Sequence, residues 1–473
     1  MLKIFNTLTK KKELFDSYHK RKVNIYVCGI TVYDYCHIGH GRTFTVFDMI
    51  VRYLKHLKYS LKYVRNITDI DDKVIKKSQE NKESVFSLTN RMILSMQEDF
   101  LNLGLLPPSI EPRATEYINI MISMIKYFLD KKFAYISDNG DIFFSINSYK
   151  SYGLLSNQIL NHLKTNYNIN AYDFKHFNHD FVLWKKSNKF NEPKWSSPWG
   201  LGRPGWHIEC SSINHKIFGK NLDIHGGGLD LLFPHHENER AQSNCFYDYN
   251  QYGKYWIHVG MLLLKNQKMS KRLHNTLLLK NLINQYNSEV IRYFFLSTHY
   301  RSPIFYDEKN IKKSYLSLRN LYFTLTKQIY NYQFLAHDVF SKFRNFSIQF
   351  YQAMDDDFNT PKAISILFEI SKKAIFFLNN HRIDLAQYLI FQLKHLANTI
   401  GLLCQNPNVF FMQNKFLNHN QSLDINIMNL IEDRDIARKN KQWILADKLR
   451  RKLFRLNIIL EDTPAGTIWK KIG

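Results

Sequence analysis

Residues 23–33, VNIYVCGITVY, are an almost unbroken run of β-branched, aromatic and apolar side chains. Such a run reads as a strand buried on both faces. HIGHGR follows, then TFTVFDMIVRYLKHL, whose apolar residues recur at helical spacing. Strand, glycine-containing turn and helix open a βαβ unit, and SLKYVRNITDI reads as the next strand. Parallel strands need a crossover between them, so a chain that begins this way points to an α/β fold with a Rossmann-like, nucleotide-binding parallel sheet.

At 473 residues the chain is too long for one ordinary core. A Pro-rich break, GLLPPSIEPR (104–113), closes the first half of the predicted Rossmann catalytic domain, 1–113. Residues 114–200 mix a helix (ATEYINIMISMIKYFL) with short strands such as GDIFFSI, and read as an inserted connective subdomain. It ends in a second Pro/Gly/Trp-rich break, EPKWSSPWGLGRPGW (192–206). The second half of the catalytic domain then spans 201–310, and a helical bundle spans 311–404. The Asn-rich stretch 405–424 reads as a linker. A small C-terminal region, 425–473, carries a basic helix through ARKNKQWILADKLRRKLFRL, with Leu445, Leu449 and Leu453 as one apolar stripe.

The five cysteines, Cys28, Cys36, Cys210, Cys245 and Cys404, are too sparse and scattered for a disulfide framework. Reduced thiols leave metal binding or catalysis as their chemical uses, against burial as small apolar residues. No run approaches a membrane span and the N-terminus lacks a signal peptide, so a cytoplasmic protein without a membrane partner is expected. The net charge of +24 favours a polyanionic partner such as nucleic acid, although Lys, Asn, Ile, Phe and Tyr are abundant throughout, as AT-biased codons would give.

Three motifs carry chemistry. In HIGH, Gly39 lets a ligand approach the backbone, and the helix N-terminus that follows suits phosphate. His37 and His40 are three apart and could donate hydrogen bonds to an α-phosphate. In KMSKR, Lys268 and Lys271 flank Met269 and Ser270 and could clamp a triphosphate. The third motif is HGGGLDLLFPHHENER (225–240), which admits a metal site, a phosphate cradle or a plain turn leading into a polar helix. There His235 and Glu239 at i, i+4, or His236 and Glu239 at i, i+3, share one helical face, and spacing does not choose between them.

HIGH and KMSK, split by an insertion and followed by a helical bundle, resemble the class I aminoacyl-tRNA synthetases. CGITVYDYCHIGHGRTF, YVRNITDIDDK, GWHIECS, HGGGLDLLFPHHENE, KMSK and the closing EDTPAGTIWK narrow the resemblance to the cysteinyl-tRNA synthetases over essentially the full length. The resemblance implies a ligase that activates L-cysteine with ATP and transfers it to the terminal ribose of tRNA(Cys). It implies a zinc ion on Cys28, Cys210, His235 and Glu239, one per subunit, and Mg²⁺ with the ATP. It places Gly29, Thr68, Trp206 and Asp230 around the amino acid, and Gly39, His225, Met269, Ser270 and Lys271 at the nucleotide. A monomer is expected, and the resemblance implies an anticodon-reading C-terminal region, where Arg438, Trp443 and Arg450 are the candidate tRNA contacts. A related ligase joining cysteine to a small amine is the competing activity.

The chemistry agrees with this set. Rejecting serine by about 10⁴–10⁵ exceeds what shape differences supply, about 1–3 kcal/mol. Zinc prefers a soft thiolate and lowers the thiol pKa, so the substrate sulfur is expected to join the protein ligands. Two residues depart from the family pattern: Arg272 stands where a serine and His274 where a glycine is usual in KMSKRLHN. If residue 274 needs positive φ, His costs more than Gly, and loop closure is the property affected.

Overall fold

The computed structural model of the chain describes residues 1–158, 175, 179–187, 192–248, 251–264, 267–268, 277–329, 337–412, 430–431, 433–435, 437–438, 440, 442–463 and 466–471. The first elements are β1 (Lys3–Asn6), β2 (Lys11–Leu14), β3 (Lys22–Thr31), α1 (Ile38–His56), β4 (Ser60–Thr68), α2 (Asp72–Glu80) and α3 (Val85–Asn102). Next come α4 (Ile118–Asp130), β5 (Ala134–Ile136), β6 (Ile142–Phe144), β7 (Phe181–Lys186), β8 (Gly202–Pro204), α5 (Trp206–Phe218), β9 (Ile224–Gly228), α6 (Glu237–Tyr247) and β10 (Tyr255–Val259). The chain continues through β11 (Leu262–Leu264), β12 (Gln267–Lys268), α7 (Leu279–Gln285), α8 (Ser288–Leu296) and β13 (Ile304–Tyr306). The helices α9 (Glu308–Leu325), α10 (His337–Asp355), α11 (Thr360–Asn379), α12 (Ile383–Asn398), α13 (Pro407–Met412) and α14 (Trp443–Arg455) precede the hairpin β14 (Ile458–Thr463) and β15 (Gly466–Lys471).

The sheet that positions the site has the order β10-β9-β3-β4, and all three pairings are parallel. Its central strand is the apolar run of the sequence: Ile25, Tyr26 and Val27 are fully buried, as a strand covered on both faces requires. The helix α1 crosses from β3 to β4, and α6 crosses from β9 to β10. The register of β3 on β4 shifts between Val27 and Ile30, which pair with Arg65 and Ile67. Cys28 and Gly29 therefore oppose the single residue Asn66, a β-bulge beside the cleft.

The antiparallel sheet β5-β6-β7-β8 packs with α4 around a second core that includes Phe128, Phe144 and Trp184. Helices α9, α11 and α12 pack on one another, and a buried charge network ties them to the parallel-sheet unit. Arg292 on α8 donates to Asp48 on α1 at 2.6 Å and to the carbonyl of Gly401 at 2.9 Å. Glu289 accepts the N–H groups of Leu403 and Cys404 and the hydroxyl of Tyr322. Such pairs cost desolvation, and they persist because each charge has several partners.

Two sequence expectations are corrected here. The 405–424 linker contains α13, because Phe410 is buried and stacks on Tyr322 at 4.0 Å. The basic segment is not one helix: residues 437–438 are helical, residue 440 is a turn, and α14 starts at Trp443 with Gln442 at its N-cap. Its buried residues are Ala446 and Leu453, with Leu449 half-buried, while Leu445 is exposed, so the stripe begins at Ala446 and keeps its other two members. Of the alternatives open for HGGG, the plain turn is set aside. Residues 224–228 form β9, whose glycines admit close neighbours: a Cβ on Gly226 would meet the Phe47 ring at 2.1 Å. Among the described residues no helix is long and apolar enough to cross a membrane.

Candidate active site and metal centre

A cleft of about 270 Å³ opens at the C-terminal edge of the parallel sheet, the usual position for a ligand in such folds. One of its ends is the turn between β3 and α1. His37 is the N-cap of α1, in extended conformation (φ −100°, ψ 166°). Its Nδ1 accepts the His40 N–H, and His40 Nδ1 accepts the His37 N–H, both at 3.3 Å. This is a reciprocal capping box made from two imidazoles, whose rings stack at 3.5 Å. With Gly39, both histidines line the cleft. One turn further on, the buried Arg42 donates to the carbonyls of Met261 and Ser302, at 2.8 and 2.5 Å. It thereby fixes α1 against the strand end that leads to β11.

At the other end, side chains from β3, α5, α6 and the turn entering α6 converge below the sheet edge. Cys28 Sγ lies 3.9 Å from Cys210 Sγ and 3.2 Å from Glu239 Oε1. Cys210 Sγ lies 3.5 Å from His235 Nε2, which is 3.0 Å from Glu239 Oε1. All four residues are buried. Two zinc–sulfur bonds of about 2.3 Å at the tetrahedral angle would hold their sulfurs about 3.8 Å apart, which matches the spacing seen. The donors are also those zinc takes, so the set fits that ion. A second group, Cys28, His225, His236 and Glu239, converges as closely and shares two members with the first.

The electrostatics are those of a proton-sharing cluster. Burial pushes the Cys28 thiol up, and its hydrogen bond to Cys210 adds to this. Burial would also raise Cys210, but the Cys28 hydrogen bond and the His235 charge bring it down to about 6. Burial would lower His235, yet Glu239 and Cys210 outweigh it and raise it to about 10. Burial would raise Glu239, but His225 and His235 hold it well below the carboxylate range.

Spacing left His235 and His236 as alternatives, and the fold gives the two rings different partners. The His235 ring faces Cys210, with His207 Nδ1 at 3.0 Å from its other nitrogen. The His236 ring turns Nδ1 to His258 at 2.8 Å, and its Nε2 has no hydrogen-bond partner among the described residues. His225, expected at the nucleotide, is instead buried in the cluster, 3.5 Å from Cys28 Sγ and stacked on Trp256. Gly29, Trp206 and Asp230 line the cleft, and Trp206 stacks on His235 at 4.2 Å. Thr68 is buried behind the wall, its hydroxyl donating to Glu209 at 3.0 Å. Lys268 is described only as part of β12, paired with Leu263. Met269, Ser270, Lys271, Arg272 and His274 lie outside the described residues.

Away from the cleft, Arg438 pairs with Asp462 at 2.6 Å, while Trp443 is 59% exposed. Arg450 lines a shallow surface cavity with Arg451, Phe454 and Arg455. Asn66, His207, Glu209 and His258 escaped the sequence reading. His207 and Glu209 lie within GWHIECS, but only the turn of α5 shows that they face the cluster.

Residues 14–315 match the family model described as the class I (C) tRNA synthetase catalytic domain, and residues 349–404 match the DALR domain. The chain is 51% identical over 473 residues to a cysteine–tRNA ligase of Buchnera aphidicola subsp. Acyrthosiphon pisum (strain Tuc7), covering 100% of this chain and 99% of that one. It is 47% identical over 471 residues to a cysteine–tRNA ligase of Haemophilus influenzae (strain PittGG), covering 100% of both. Among solved structures, Mycobacterium tuberculosis methionyl-tRNA synthetase with methionyl-adenylate is 12% identical, with a TM-score of 0.59 over 85% of this chain and 93% of that one. The Agrobacterium radiobacter K84 agnB2 LeuRS–tRNA–LeuAMS complex is 9% identical, with a TM-score of 0.59 over 83% and 85%. At these identities the structures share a fold with the chain and nothing finer.

Proposed function

The chain belongs to the cysteine–tRNA ligase family of class I synthetases and is a ligase, and on that footing we propose that it joins L-cysteine to tRNA(Cys) in two steps at this cleft. The observation that carries the reading is the convergence of Cys28, Cys210, His235 and Glu239 beside the His37–His40 turn.

In the first step a cysteine carboxylate oxygen attacks the α-phosphorus of ATP. The bond to the β-phosphate breaks and pyrophosphate leaves with Mg²⁺. In the second, a hydroxyl of the terminal tRNA ribose attacks the activated carbonyl and AMP leaves. The protein positions these groups and stabilises developing charge, with no covalent intermediate. His37 and His40 donate to the α-phosphate from the ring edges away from the cap, and Gly39 lets the phosphate reach the N-terminus of α1. Lys268 and Lys271 take the leaving pyrophosphate, with Met269 and Ser270 in the same loop. Asp230 holds the α-ammonium, and Gly29 and Trp206 close the pocket around the side chain.

Zinc held by Cys28, Cys210, His235 and Glu239 supplies a soft Lewis acid for the substrate sulfur, which serine's oxygen does not match. Free thiols at residues 28 and 210 fit a reducing cytoplasm. Residues 1–113 and 201–310 act as the two halves of the catalytic domain around the connective segment 114–200, with 311–404 as the bundle. The region from 425 reads the anticodon through Arg438, Trp443 and Arg450. Cysteine-dependent exchange of pyrophosphate into ATP, measured beside aminoacylation and elemental analysis, tests the proposal. Exchange with cysteine and not serine, with bound zinc and charging of tRNA(Cys), is expected. Absence of exchange, or charging of a small amine in place of tRNA, overturns it.

A further inference from the structure

The bulge in β3 has an occupant of its own. Where Cys28 and Gly29 together face Asn66, the regular ladder cannot satisfy every N–H. The Gly29 N–H instead donates to the Asn66 side chain, Oδ1, at 2.8 Å. The backbones are so close that a Cβ on Gly29 would fall 1.6 Å from the Asn66 carbonyl oxygen. The amide nitrogen of Asn66 then points along its own strand to Thr68 Oγ1 at 3.4 Å, and Thr68 donates to Glu209 Oε2 at 3.0 Å. Asn66, Thr68 and Glu209 are all buried.

The two ends of this chain of bonds adjoin the two cysteines. Gly29 follows Cys28 on β3, and Glu209 precedes Cys210 on α5. A polar chain thus spans the gap that the two sulfurs must close to 3.9 Å. The bulge also decides which way Cys28 points, since a one-residue slip in a strand sends a side chain to the opposite face.

We propose that Asn66 is a positioning residue for the metal centre: its side chain holds the Cys28–Gly29 bulge and, through Thr68 and Glu209, sets the distance between Cys28 and Cys210. This rests on the reading of Cys28 and Cys210 as metal ligands. Without the Asn66 amide the half-buried Gly29 N–H loses its partner, and the strand regains freedom to relax toward a regular ladder. Groups that orient metal ligands in this way typically govern affinity by about 10–100-fold.

The test is zinc release from the full-length protein into a chromogenic chelator, for the parent, Asn66→Ala and Asn66→Asp. Asp keeps an acceptor for the Gly29 N–H, and Ala removes it. Release from Asn66→Ala should be about 10–100-fold faster than from the parent. Release from Asn66→Asp should lie closer to the parent than to Asn66→Ala. In steady state, KM for cysteine should rise in Asn66→Ala while KM for ATP stays within about twofold, a split that general loosening of the fold would not produce. If Asn66→Ala does not fold, Asn66→Gln replaces it, since its longer side chain moves the amide out of register with Gly29. Release as slow as the parent's from a folded Ala or Gln variant overturns the proposal. A parent that holds no zinc overturns instead the ligand assignment on which it rests.

Discussion

At one end of the cleft, His37 and His40 come from four consecutive residues and hold each other in place. At the other, Cys28, Cys210, His235 and Glu239 come from segments spread over 211 residues and meet only because four elements pack together. The first pair is half-buried and its geometry is set by one helix N-terminus. The second set is buried and its geometry depends on a strand bulge, two helices and a turn. The difference separates two kinds of precision. A local motif keeps its shape through one capping box, so its neighbours can change without moving it. A distributed cluster owes each distance to a different packing contact, and it gains a buried site where electrostatic interactions are strong.

The comparison predicts that the two ends fail independently. Cys210→Ser should give the largest effect. Bound zinc falls, and the preference for cysteine over serine drops from about 10⁴–10⁵ to the 10–200-fold that shape alone sustains. Elemental analysis and exchange assays with both amino acids measure it. A variant that keeps its zinc and its preference would show that the buried end does something else.

His40→Ala should lower adenylate formation by about 10²–10³, the usual loss of one donor to developing charge. Its zinc content should equal the parent's. Loss of zinc in this variant would couple the two ends and break the comparison.

Zinc affinity should rise with pH, because ligands must shed protons to bind metal. Between pH 6 and 10 the Cys210 thiol, at about 6, is already ionised, while His235, at about 10, still holds its proton. Displacing that proton makes apparent affinity about tenfold tighter per pH unit across this window, and Cys28, raised by burial, steepens the slope. Competition with a chelator of known pH response at several pH values reads the slope. A flat profile would mean that the metal-free cluster carries no excess proton.

The smallest effect at either end should come from Trp443→Ala. This exposed ring lies on α14, outside the cleft lining. Cysteine-dependent exchange should be unchanged, while tRNA binding weakens by about 1–3 kcal/mol if a base stacks there. Equal losses in exchange and tRNA binding would instead mark a fold defect.

Much of the fold was legible along the chain. The buried strand 23–33, the helix after HIGH and the bundle helices all follow from apolar periodicity, which neighbours in sequence impose on one another. Where tertiary packing recruits a residue, the same reading slips. Phe410 finds Tyr322 and turns part of an Asn-rich segment into a helix. The glycines of HGGG, for which a turn is one reading, form a strand paired on both sides, with Phe47 packed where a Cβ on Gly226 would lie.

The candidate site divides along the same line. The sequence by itself determined the residue types and put His37 and His40 on one side of the opening helical turn, because three-residue spacing at a helix start leaves little freedom. Only the tertiary structure decided that His235 rather than His236 faces Cys210, that His225 joins the buried cluster, and that Asn66 supports the bulge carrying Cys28. The reason is physical: a periodicity states which face a side chain occupies, but distances between faces arise only when strands and helices from distant parts of the chain are packed against one another.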